Sequence, residues 1–137
     1  MAKHTIISRG RPNLPGDYTF ETEGLAGANA EIIEVNATSE DEFIEAARNA
    51  DAIVTRGMPI TRQVIEGLNK CKIIALGSVG TDIVDVKAAT VKGIPVTNCP
   101  DTFIQEVAEH TAALILGAHR RLLLIDKMVR EGRFSEG

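Results

Sequence analysis

The stretch with the clearest chemical potential is Leu76-Gly77-Ser78-Val79-Gly80-Thr81-Asp82. It leaves an apolar run and leads toward a helical pattern. Glycines at 77 and 80 permit a close backbone approach. Amide N–H groups at Val79, Gly80 and Thr81 are then free to face a crevice with a helix N-terminus behind them. Such a loop suits a small anion, a carboxylate or a phosphate. The same spacing also serves a ligand-free turn between strand and helix, because glycines commonly mark turns. Arg56-Gly57 ends an earlier apolar run. An arginine there can grip a carboxylate bidentately, or simply form a surface ion pair. Ser8, Arg9 and Arg11 follow the first apolar run and read as an exposed, flexible loop.

Other chemistries are absent from the pattern. G-x-G-x-x-G and G-x-x-x-x-G-K-[ST] do not occur, so no dinucleotide or phosphate cradle is recognisable. His4, His110 and His119 match no zinc spacing, and His110 beside Glu109 reads as a packing or interface residue. Cys71 and Cys99 flank strands and read as inert buried thiols, which fits a reducing, cytoplasmic setting.

The elements that would position the loop alternate. Short apolar runs at residues 5–7, 31–35, 52–55, 72–76 and 94–97 read as strands, and their continuity suits a sheet buried on both faces. Between them, Ser39-x-x-Glu42 is a capping box, Thr61 can cap a short helix, and Asp82 can cap a helix running through Val91. Residues 9–30, with Pro12, Pro15 and Gly16, predict a loop and then a helix from about Tyr18 to Ala28. Repeated strand–helix units imply a doubly wound parallel sheet, and five strands suggest the flavodoxin-like order 2-1-3-4-5. In that order the loops after strands 1, 3 and 4 meet at one crevice.

The 137 residues are 44% apolar and 25% charged, an ordinary globular balance. A net charge of −4, no Trp, one Tyr and four Phe argue against nucleic-acid binding. Ala112–Ala118, the longest apolar stretch, is far too short for a membrane span.

Residues 1–100 read as the α/β domain. Residues 101–137 read differently. Thr102-x-x-Gln105 is a capping box, and apolar spacing then continues to about Arg130. Roughly 29 residues of helix would run ~43 Å, more than a small domain can cover. The expected answer is packing against a second copy or a further domain. The alternative is a break at Gly117 or near Arg120-Arg121.

The sequence from Lys72 to Asp85 resembles the D-isomer-specific 2-hydroxyacid dehydrogenases. Gly93-Ile94-Pro95-Val96-Thr97-Asn98, Val107-Ala108-Glu109-His110, Thr55-Arg56-Gly57 and Gly132-Arg133-Phe134 continue the likeness in order. Within that family the phosphoglycerate dehydrogenase-like members are the most similar. The resemblance implies a substrate domain followed by a long interdomain and dimerisation helix. It implies NAD or NADP in the complete protein, held by a separate domain that also carries the family's catalytic Arg, Glu and His. None of those catalytic residues transfers to this chain, which is expected to bind no cofactor and to be inactive alone. A non-catalytic 2-oxo-acid-binding or dimerising module is the alternative. By resemblance, Ser78, Val79 and Gly80 hold the acid's carboxylate, and Arg56 and Gly57 flank its side chain. Asn98 to Val107 would face the nicotinamide, although Ile104, Gln105 and Glu106 depart from the family's usual small residues there. The implied partners are a small 2-hydroxy or 2-oxo acid and a second copy through the long helix, with no nucleic acid and no membrane.

Overall fold

A computed structural model describes residues 3–10, 15–133 and 135. Arg11 and Pro12 of the first loop, and Phe134 of the Gly-Arg-Phe motif, lie outside them. The chain forms two compact units, residues 1–100 and 101–137.

The first unit is an α/β sheet domain. Its strands are β1 (His4–Arg9), β2 (Ala30–Val35), β3 (Ala52–Thr55), β4 (Ile73–Leu76) and β5 (Val96–Thr97). All neighbours pair in parallel, in the order β2-β1-β3-β4-β5, as the strand count suggests. Helices α1 (Thr19–Gly24), α2 (Glu40–Ala47), α3 (Arg62–Gly67) and α4 (Val86–Val91) connect them.

Local chemistry sets the helix starts. The Ser39 hydroxyl accepts from the Glu42 amide at 3.2 Å, and the Glu42 carboxylate reaches back to Thr38. Thr61 caps α3 by accepting from Val64 N. Asp82 does not cap α4. Val84 instead bridges to Ile60 as extended chain, with Ile60 N donating to Ile83 O and Asp85 N to Ile60 O. The helix therefore cannot start before Val86, and Asp85 caps it by accepting from Ala88 N at 2.8 Å. The helix over residues 18–28 shortens to α1, the six residues Thr19–Gly24.

One face of the sheet carries the core. Ile53, Ile74 and Leu76 pack with Phe43 and Ala47 of α2, Val64 and Ile65 of α3, and Ala88 and Ala89 of α4. The opposite face is covered less. Along β3 and β4, fully buried positions alternate with half-buried ones. The two-sided burial suggested by continuous apolar runs is thus one full side and one partial side. α1 has no buried residue and adds little cover.

The second unit holds α5 (Ile104–His119) and α6 (Leu122–Arg130). The continuous helix expected over this stretch is interrupted. Arg121 adopts a left-handed conformation at φ 52°, and Arg120 and Arg121 donate back to Leu116 O and Ala118 O to close α5. Gly117, the residue with the lowest helix propensity there, sits inside α5 without disturbing it. Phe103, with no side-chain cap, precedes α5 in place of the expected Thr102 capping box.

Candidate functional site

Parallel strand order brings the ends of β1, β3 and β4 side by side. The loop after β4 is held by its carbonyls. Gly77 N donates to Thr55 O at 3.0 Å. Ser78 O accepts from Cys99 N at 3.0 Å, and Val79 O accepts from Asn98 Nδ2 at 2.6 Å. The Ser78 hydroxyl donates to Gly80 O at 3.0 Å.

The consequence for the amides follows from peptide geometry. In a trans peptide the C=O of one residue and the N–H of the next point in opposite directions. With Ser78 O and Val79 O committed to residues 98–99, the N–H groups of Val79 and Gly80 point away from that segment. Among the described residues neither amide has a hydrogen-bond partner. Val79 is 44% exposed. A Cβ at Gly80 would lie 2.5 Å from Asp82 Oδ1, so the Asp82 carboxylate flanks this loop.

The sequence expectation of a helix dipole behind this loop is corrected. α4 starts six residues after Gly80 and is itself only six residues long. The loop offers amide donors alone. It also does not fit a dinucleotide pyrophosphate, which needs a helix N-terminus directly behind its glycines. Asp82 places a negative group where a phosphate would come.

Arg56 is half-buried and its side chain crosses Gly77, where a Cβ would lie 3.0 Å from Arg56 Cγ. Its Nη1 donates to Asp17 O at 2.6 Å, and its Nη2 pairs with Glu21 Oε1. Its guanidinium lies 4.9 Å from the centre of the Tyr18 ring. The Glu21 carboxylate holds the Arg56 pKa above its ordinary value, against the opposing effect of burial. Gly57 makes the turn after β3 at φ 109°, a backbone angle that side chains other than glycine rarely adopt. Thr55 Oγ1 donates to Met58 O at 2.7 Å and closes the same turn.

Ser8 and Arg9 are not exposed. They are 1% and 8% accessible. Ser8 Oγ bonds the Tyr18 hydroxyl at 2.7 Å. Arg9 Nη1 donates to Pro59 O, and the guanidinium lies 5.1 Å from the centre of the Phe43 ring. A β-strand alternates its faces, so an arginine at the end of β1 can be driven inward by register alone. Arg9, Gly16, Tyr18, Glu34 and Arg56 line a pocket of about 310 Å³. Tyr18, Asp17 and Glu21 were not among the sequence candidates. Their segment has no periodicity strong enough to place them.

The remaining candidates are not gathered there. Cys71 is half-buried and burial raises its thiol pKa. Cys99 is exposed rather than buried. His110 is exposed on α5. No group of three or more His, Cys, Asp or Glu side chains among the described residues could hold a metal ion. Among those residues, no helix is long and apolar enough to cross a membrane.

Fold and motifs together define the class. The sequence profile of the D-isomer specific 2-hydroxyacid dehydrogenase catalytic domain matches residues 17–132, and the chain belongs to that family. It is 38% identical over 106 residues to D-3-phosphoglycerate dehydrogenase of Methanocaldococcus jannaschii, covering 77% of this chain and 20% of that protein. It is 39% identical over 98 residues to glyoxylate reductase of Korarchaeum cryptofilum, covering 71% and 30%. A solved D-lactate dehydrogenase of Aquifex aeolicus, complexed with NAD and lactic acid, superposes with a TM-score of 0.70 at 27% identity, covering 96% of this chain and 38% of that one. The chain thus spans less than a third of the length of either curated relative.

Proposed function

We propose that these residues form the substrate-binding part of an NAD(P)-dependent D-2-hydroxyacid dehydrogenase. Such an enzyme moves a hydride between a nicotinamide and a 2-hydroxy or 2-oxo acid. The Val79 and Gly80 amides receive the acid's carboxylate, beside Ser78, with Arg56 and Gly57 along its side chain. One observation carries this reading: two adjacent amides at the carboxyl end of β4, turned away from the carbonyls that anchor the loop, and without a partner among the described residues. Family membership supports the reaction class. The relatives named for phosphoglycerate, glyoxylate and lactate support a small 2-hydroxy or 2-oxo acid as the substrate class.

No hydride step is drawn through this chain. The loop over residues 77–80 does not suit a pyrophosphate, and the residues present supply no recognisable cofactor cradle. The chain's own contribution is to bind and orient the acid, and alone it is inactive. We further infer that α5 and α6 meet a second copy, because their apolar side chains, Ile115, Leu122 and Leu123 among them, are exposed. A cytoplasmic location accords with two unpaired cysteines.

Oxalate titration followed by amide NMR tests the carboxylate seat. The Val79 and Gly80 resonances should move most. Gly80→Pro removes one donor at a backbone position with no positive φ, and should abolish the response. Oxalate that leaves both resonances in place overturns the assignment. An assay with glyoxylate and reduced nicotinamide cofactor should give no turnover from the 137 residues. Turnover there would refute the claim that catalytic groups lie elsewhere.

A further inference from the structure

Arg56 stands between the amide seat and the pocket lined by Arg9, Gly16, Tyr18 and Glu34. A negative tail on a bound acid would need this guanidinium, the nearest cation that the geometry offers. The guanidinium is already engaged. Glu21 pairs with Nη2, the Asp17 carbonyl accepts from Nη1, and Tyr18 lies against its face. Tyr18 is itself fixed through its hydroxyl to the buried Ser8.

The surroundings lean negative. Glu21 Oε2 and Glu34 Oε1 are buried with no hydrogen-bond partner. Glu34 Oε2 accepts from Gly16 N, and the Asp17 carboxylate accepts from Thr19. Against these three carboxylates stand two guanidiniums among the described residues, Arg9 and Arg56. Arg9 is directed to Pro59 O and Phe43. Asp82 adds a further carboxylate at the amide end. A phosphate entering here would have to displace Glu21 from Arg56 and then lie beside carboxylate oxygens that have no donor. In a half-buried site that repulsion is poorly screened. A hydrogen, methyl or hydroxymethyl tail meets no such opposition.

We propose that Glu21 is a specificity-determining residue: by holding Arg56, it restricts this chain to 2-hydroxy or 2-oxo acids whose only anionic group is the carboxylate. The inference rests on the carboxylate seat at Val79 and Gly80. It separates this chain's substrate from phosphorylated acids despite the sequence likeness to a phosphoglycerate enzyme.

The test uses a matched pair, D-glycerate and D-3-phosphoglycerate, which differ by the phosphate alone. Both are titrated into the 137-residue chain and into Glu21→Gln and Glu21→Ala, with the amide spectrum reporting binding and folding together. In the unaltered chain the phosphate should improve affinity by less than about tenfold, well short of a full charge-assisted Arg–phosphate contact. In either variant the affinity ratio should rise in favour of the phosphorylated acid by about tenfold, as the released Arg56 turns to the phosphate. A phosphate preference of about tenfold or more in the unaltered chain overturns the proposal. So does a ratio that rises by less than about threefold in both variants while glycerate still binds. If neither acid moves the Val79 and Gly80 amides in any of the three proteins, the carboxylate seat falls, and this inference falls with it.

Discussion

Phe43 on α2 is wholly buried, whereas Leu123 on α6 is 86% exposed. The contrast holds across the two units. In residues 1–100, helices of six to eight residues bury apolar side chains against a sheet. In residues 101–137, the longer helices α5 and α6 bury none, and among the described residues only Gly117 and Met128 are even half-buried. Apolar spacing and helix length are therefore poor guides to what holds a segment in place. A short helix gains stability from the sheet it covers, because nucleating a helix is costly and packing offsets the cost. The longer pair has comparable apolar side chains but no such surface within its own unit.

That contrast can be broken by experiment. Phe43→Ala should destabilise the first unit by about 3–5 kcal/mol, through lost transfer energy and the cavity left behind. Chemical denaturation followed by sheet-amide exchange measures it, and a loss below about 1 kcal/mol would contradict a single dominant core face. Ser39→Ala removes the α2 cap and should cost about 1 kcal/mol in the same experiment.

Asp51 sharpens the comparison through pH. Its carboxylate accepts from Thr5 N at 3.0 Å, with Lys70 and Lys72 nearby. The Thr5 hydrogen bond first, and then the lysines, lower its pKa from 3.8 to about 2. A lowered folded-state value means a stabilising contribution present above about 3.8 and lost as pH falls through about 2. Asp51→Asn should therefore lower Tm at neutral pH, with the gap to the unaltered protein closing across that window. A gap independent of pH would remove the charge from the explanation. Leu123→Ala should have the smallest effect, within about 0.5 kcal/mol for a monomer. A much larger and concentration-dependent loss would reveal that α6 is covered by a second copy, and sedimentation of both proteins would show the shift directly.

Much of this molecule is legible in its residues. Five apolar runs separated by helix signals specify a parallel sheet, and right-handed crossovers leave few orders for the strands. Caps at Ser39 and Thr61 are local, since each needs only a hydroxyl and an amide three residues on. The glycine at 57 is local too, because its turn demands a positive φ. The Asp82 cap failed for a reason that no local window contains. Ile60, more than twenty residues earlier, holds Val84 in an extended bridge. The break at Arg121 carries no glycine or proline to announce it.

The sequence by itself determined the sheet, its order and the place of the amide loop at the end of β4, because those follow from periodicity and chain connectivity. Tertiary structure alone decided the charge state of the crevice. Arg56, Glu21, Tyr18 and Ser8 lie on three elements, and only the folded chain brings them within hydrogen-bonding distance. Electrostatic partners act through space over a few ångströms, while sequence patterns record only the spacing along the chain.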